Sequence, residues 1–164
     1  MMIFPIYSDI YKTVDNVRNF LAQNTEVSFY AQKIAEGEDF ATQFLFDNGK
    51  GYSPHFATAA AVMLRAVGVP TRYVEGYRIP ETLIAAAEGN EDIKTLTLTD
   101  GEHHAWVEIF DKNYGWIPVE VTTGYYNGSF ALLFEQAKQE AEKLNENEPE
   151  TQEKDEPVTS DPLG

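Results

Sequence analysis

The chain has 164 residues, 27 of them acidic against 12 basic, a formal charge of −15 and no cysteine. A chain of that length buries a core without disulfide or metal staples, and its acidic excess repels phosphate backbones and anionic membrane surfaces, so no nucleic-acid partner is expected. The missing cysteines remove disulfides, thiolate metal sites and thiol catalysis together, and leave the redox compartment open.

The first residues, MMIFPIYSDIY, lack the basic start and long apolar centre of a signal peptide, and no run of about 18 apolar residues occurs anywhere. In residues 8–23 Ile10, Val14, Val17 and Leu21 recur at three- and four-residue spacings behind Ser8, which predicts an amphipathic helix capped by that serine. VSFY reads as a short extended piece. GEDFATQFLFDNGKG predicts a short helix from about Asp39 to Phe46, with Phe40, Phe44 and Leu45 inward and a stop at Asn48-Gly49.

The next helix has the strongest punctuation. Ser53 is expected as its cap, Pro54 fits its first position, and Gly68 with Pro70 ends it. Its interior, from Phe56 to Val67, leaves Thr58 and Arg65 as the main polar positions, so it is expected to be buried nearly all round, its alanines letting a sheet approach closely. Strand-like segments follow: TRYVEGYRI, KTLTLT, HHAWVEIF and GWIPVEVT, with PETLIAAAEGN as a short helix or loop and DKNYG as a hairpin loop. A last helical pattern runs from Phe130 to Leu144. Residues 146–164 hold seven acids, one lysine, three prolines and almost no apolar side chain, so they are expected to be an acidic disordered tail or linker behind a single domain of residues 1–145. Helices first, a buried central helix, then consecutive strands predict an α+β fold with an antiparallel sheet packed on the central helix.

The chain has three histidines, His55, His103 and His104. Residues directly opposite in an antiparallel hairpin share a face. A loop of Asp111-Lys112-Asn113 puts His104 opposite Glu120; a loop one residue later makes Glu120 a diagonal neighbour on the same face; an even-length loop separates them. In the odd-length registers an imidazole meets a carboxylate, the base and orienter of a triad. A nucleophile belongs at the N-terminus of the buried helix, where unpaired N–H groups and the macrodipole favour negative charge, and Ser53 stands there. A thiol in such a place has its pKa lowered from about 8.5 to roughly 3.5–7.5. A serine hydroxyl lies far above that range and needs His104 as an aligned general base.

Most of residues 37–123, from GEDFATQFLF through KGYSPHFATAAAVMLRAVGVPTRYVEGY and GEHHAWVEIF to GWIPVEVT, resembles the transglutaminase-like domains of the papain-like cysteine-enzyme superfamily. The family pattern is Gly-Tyr-Cys at the helix start, His-Ala-Trp on a strand, and an aspartate after Gly-Trp and a short spacer. The resemblance implies a papain-like fold, with the nucleophile position at Ser53, the base at His104 and the orienting carboxylate at Glu120. Glutamate for aspartate keeps the charge and adds a methylene. Serine for cysteine removes the nucleophile that this architecture activates.

Each residue also has a plainer role to set beside this one: a cap for Ser53, a structural histidine for His104, a solvated strand carboxylate for Glu120. His103 is expected on the opposite face as a rim residue, and His55 exposed near the cleft. Neighbours on a strand point apart and no further ligand sits at recognisable spacing, so neither a metal nor any other cofactor is expected. Trp106, sharing a face with His104, has a better claim to the cleft than Trp116. Tyr52 adjoins Ser53, where its backbone could shape an oxyanion site. Tyr52 and Trp106 are thus the substrate-binding candidates.

The expected function is a domain without thiol catalysis that uses the cleft to bind a peptide, protein or cell-wall polymer. The resemblance further implies an extracytoplasmic domain of a larger, bacterial membrane protein. Two alternatives remain: an acyl-transfer enzyme whose cysteine was replaced by design, and a Ser-His-Glu hydrolase.

Overall fold

The computed structural model describes residues 9–30, 33, 36–88 and 95–146. Helix α1 spans Ile10–Asn24. Its cap is Asp9, whose carboxylate accepts the Tyr11 and Lys12 N–H groups at 3.0 and 3.4 Å; the expected cap, Ser8, lies outside the described residues. Val14, Val17 and Leu21 are buried as their spacing requires, and Arg18 lies with them at only 4% exposure.

Strand β1, Glu26–Val27, pairs in parallel with β2, Lys50–Gly51. The extended run expected over VSFY stops at Val27, and Phe29 and Tyr30 stand in solvent. Between the two strands α2, Phe40–Thr42, is capped by Asp39 and widens into a π-helical turn, Gln43–Asn48. Gly49 closes that turn with φ 63°, a conformation open to glycine at little cost. Phe44 is fully buried there, while Phe40 and Leu45 are half-buried.

Helix α3, Ser53–Ala66, is the centre of the core. Phe56, Ala57, Ala59, Ala60 and Leu64 have no exposure, yet Val62 and Val67 emerge, so one strip of the helix reaches water instead of the helix being buried on all sides. The residue before the helix is Tyr52, so Ser53 is its first turn's opening residue and not its cap; Pro54 follows, where a missing N–H has no intrahelical acceptor to lose. After the helix Gly68 turns the chain at φ 88° and the Val69 N–H returns to the Leu64 carbonyl at 2.9 Å.

Strands β3 (Thr71–Tyr77), β4 (His103–Asp111) and β5 (Gly115–Val119) form an antiparallel sheet in that order. Ala105, Val107 and Ile109 of β4 have no exposure and join α3 in the core. A helix α4, Glu81–Glu88, follows β3 and buries none of its residues. The strand expected over KTLTLT is absent from its described part, 95–99. Both edges of β4 are already taken by β3 and β5, and Thr99 instead bonds the Glu102 carboxylate through its N–H and hydroxyl, at 2.6 and 2.7 Å, opening the short turn Asp100–Glu102.

The β4–β5 hairpin sets the register on which the site depends. Asp111 pairs with Gly115, leaving a three-residue loop, Lys112 to Tyr114. Asp111 Oδ1 holds that loop by accepting the Asn113 and Tyr114 N–H groups, and Gly115 takes φ 78°, as a three-residue hairpin loop demands.

Helix α5, Phe130–Glu146, packs on α1. Asp15 of α1 ties them: it accepts the Ser129 hydroxyl at 2.6 Å and the Phe130 and Ala131 N–H groups at 2.7 and 3.1 Å, supplying acceptors that the start of α5 lacks internally. The expected acidic tail lies outside the described residues beyond 146.

Burial pushes the Asp15 carboxyl up, but the Ser129 hydroxyl, the two N–H groups and the Arg18 charge together bring it below its usual range. A depressed carboxylate stabilises the fold above the unfolded-state value of about 3.9 and loses that contribution as pH falls through its lower folded value. Asp15→Ala is expected to cost about 1–2 kcal/mol at pH 7 by urea denaturation. The gap between variant and parent should close below about pH 4; a gap independent of pH would contradict this role.

Candidate active site

Ser53 is 7% exposed at the N-terminal end of α3, and its Oγ accepts the Ala105 backbone N–H at 3.2 Å. The start of β4 therefore pins the start of the helix through the serine oxygen. Across the same cleft of ≈170 Å³ lies His104, 6% exposed. Among the described residues no hydrogen bond joins Ser53 Oγ to His104, so the hydroxyl is held by the sheet backbone and not by the imidazole.

His104 Nε2 and Glu120 Oε2 are 2.6 Å apart. The hairpin register explains this contact: Val107 pairs with Val119, so Glu120, one residue past β5, falls diagonally from His104 on the same face. The Glu120 carboxylate also accepts the Val121 and Thr122 N–H groups at 3.0 and 2.9 Å through Oε1. Burial pushes this carboxyl up, and the His104 hydrogen bond with the Thr122 N–H outweighs it, so the group stays below its usual range and ionised. An ionised carboxylate only accepts, so Nε2 carries a proton, and in a neutral imidazole Nδ1 keeps its lone pair, the arrangement of a base held by its orienter.

The other candidates divide. Tyr52 lines the cleft with Ser53, at 39% exposure. Its backbone is not an available oxyanion donor, because its N–H already bonds His55 Nδ1 at 3.3 Å. Trp106 lies outside that cleft, in an adjoining depression of ≈370 Å³ which it shares with His104 and Glu120. Gly76 of β3 makes room for it, since a Cβ there would stand 2.7 Å from the indole. Trp116 is 41% exposed and lies under the Arg72 guanidinium.

His103 lies exposed on the rim, 3.9 Å from Glu75. His55, expected to be exposed, is 7% exposed and wedged between Phe40, Phe44 and Tyr52. Burial pushes it below the ordinary histidine range, and the N–H it accepts needs its neutral form. Gly51 is required beside it, because a Cβ there would come within 2.6 Å of His55 Cβ. Among the described residues no cluster of side chains is placed to hold a metal ion.

Two partners of the site escaped the reading of the sequence. Arg18 of α1 donates from Nε to the Glu120 carbonyl at 2.8 Å, with Tyr126 stacked on its guanidinium at 4.0 Å. Its signal was a charge at the fourth place of the buried Val14, Val17, Leu21 stripe, where a cation survives only with partners. Tyr125 stacks on the His104 ring at 4.9 Å, and no periodicity marks the loop that carries it.

A family description of the transglutaminase-like superfamily matches residues 6–121. An uncharacterised protein, YebA of Bacillus subtilis, is 31% identical over 124 residues, which is 74% of this chain and 16% of that protein. A protein-glutamine gamma-glutamyltransferase of Pseudomonas aeruginosa is 38% identical over 88 residues, 54% of this chain and 12% of that protein. The chain thus spans less than a fifth of these relatives. Its fold matches the crystal structure of the periplasmic domain of TgpA from Pseudomonas aeruginosa with a TM-score of 0.50 at 24% identity, covering 84% of this chain and 42% of that one. The family match extends over α1, the central helix and the three-stranded sheet that hold Ser53, His104 and Glu120, and the chain belongs to the transglutaminase-like superfamily.

Proposed function

We propose that this domain binds an amide-bearing peptide or protein segment, cell-wall peptides included, in the Ser53–His104 cleft, and that it does so without thiol acyl transfer. The observation that carries this reading is Ser53 itself, seated at the start of α3 beside an intact His104–Glu120 pair. The helix terminus and an imidazole with a free Nδ1 are what a thiol needs to ionise near neutral pH. A hydroxyl in that setting stays protonated, and here its oxygen is occupied by the Ala105 N–H.

The Pseudomonas aeruginosa relative is a protein-glutamine gamma-glutamyltransferase, and carrying that chemistry over puts a glutamine carboxamide in the cleft. The solved relative is a periplasmic domain, and the chain corresponds to under a fifth of its longer relatives. Both support a place outside the cytoplasm within a larger, membrane-anchored protein. Among the described residues no helix is long and apolar enough to cross a membrane.

The completeness of the His104–Glu120 pair favours one second reading, an acyl-transfer enzyme whose cysteine has been exchanged for serine. In that form the thiolate attacks the carboxamide carbon, the amide nitrogen leaves as ammonia with a proton from His104, and an amine or water takes the acyl group from the thioester. A cysteine codon at position 53 of the coding sequence would select this reading over the first.

The chain as it stands is expected to incorporate no dansylcadaverine into dimethylcasein, while Ser53→Cys does so measurably. Incorporation by the serine chain would overturn the proposal. Ser53 is likewise expected to resist a fluorophosphonate, since no base holds its hydroxyl; labelling that disappears in His104→Ala would establish a Ser-His-Glu hydrolase instead.

A further inference from the structure

Among the described residues several cations are engaged: Arg72 with Glu108, Lys50 with Glu26, Lys12 with Asp9, and Arg65 with the Thr71 carbonyl. Arg78 differs. Among the described residues its guanidinium has no carboxylate partner and no hydrogen bond, and it lies 5.3 Å above the Tyr125 ring. Its backbone is fixed where β3 ends, the N–H donating to the Glu102 carbonyl at 2.8 Å. From there the residue lines both cavities that flank His104, the cleft with Ser53 and the depression with Trp106.

The two carboxylates that share its cavities have other partners: Glu102 is bonded to Thr99 twice, and Glu120 to His104. An exposed guanidinium left with free donors at the mouth of a cleft presents a planar fork that fits a carboxylate in two-point contact. The overall negative charge opposes an anionic ligand at long range, but that repulsion is screened beyond about 8 Å at physiological salt, whereas a direct pair is not.

We infer that Arg78 is a carboxylate-binding residue of the cleft, which selects peptides carrying an acidic side chain or a free C-terminal carboxylate close to the amide presented at Ser53. This rests on the reading that the cleft holds an amide-bearing peptide. Tyr125 connects the two ends of the site, with its ring 4.9 Å from His104 and 5.3 Å from the Arg78 guanidinium. Those two steps bound the separation of guanidinium and imidazole, and an extended peptide advances about 3.3–3.6 Å per residue, so the carboxylate lies within about three residues of the amide.

The test uses the chain as it stands and fluorescein-labelled heptapeptide amides with a central glutamine among alanines, each alanine replaced in turn by Glu or by Gln. A second set ends one, two or three residues after the glutamine, as free acid or as amide, which separates a terminal from a side-chain carboxylate. Anisotropy titration is expected to show a Glu or free-acid preference of about five- to tenfold at one position or more within three residues. Arg78→Gln should abolish that preference while still binding the neutral peptides, and Arg78→Lys should keep part of it. Equal binding of acidic and neutral peptides, or a preference that survives Arg78→Gln, overturns the assignment and leaves the peptide-cleft reading standing. Binding of no peptide at all overturns that reading, and this inference with it.

Discussion

The carboxylate of Glu120 organises the site. It takes a hydrogen bond from His104 Nε2 on one oxygen and two backbone N–H groups on the other, while its own carbonyl takes Arg18 Nε. A half-buried carboxylate without such donors costs several kcal/mol or takes up a proton. With them it stays charged and fixes two things together, the proton on Nε2 and the orientation of the imidazole, while the backbone carbonyl of the same residue docks α1 against the end of β5. The short hairpin loop closed by Asp111 and Gly115 brings it there.

On the proposed reading the serine at position 53 stands where the family pattern has a cysteine, beside a complete imidazole–carboxylate pair. Helix terminus, imidazole and carboxylate are all in place, and exchanging sulfur for oxygen alters the side chain's size little. On that reading what changes is the pKa of the group at position 53, by far more than a helix end and an imidazole can offset. The Ala105 N–H gives the oxygen a structural partner, so Ser53 ties helix to sheet.

Much of this was legible in the sequence because apolar spacing reports burial directly. Val14, Val17 and Leu21 on α1 and Phe44 before the central helix lie where their spacing puts them, while the alanine-rich α3 is buried except for one strip. Counting across the hairpin put Glu120 opposite or diagonal to His104 for an odd-length loop and apart from it for an even one, and the structure has the three-residue loop and the diagonal place. The failures have a common physical origin in tertiary context. Ser53 before a proline reads as a cap, but the chain enters the helix one residue earlier because the Tyr52 N–H finds His55 Nδ1. The same contact buries His55. Residues 95–99 carry a strand's composition and find no free edge of β4. Arg78 falls within the segment read as a strand but lies one residue past the end of β3, and Tyr125 sits in the loop after β5, so only folding brings them beside His104.

The central claim is that the site lacks its nucleophile and nothing else. The most direct measurement is the pH dependence of iodoacetamide alkylation of Ser53→Cys, alone and combined with His104→Ala. The account predicts a thiol pKa well below the ordinary value of about 8.5, moving back toward it when His104 is removed. An ordinary thiol pKa in the single variant, unchanged by loss of the imidazole, would contradict it.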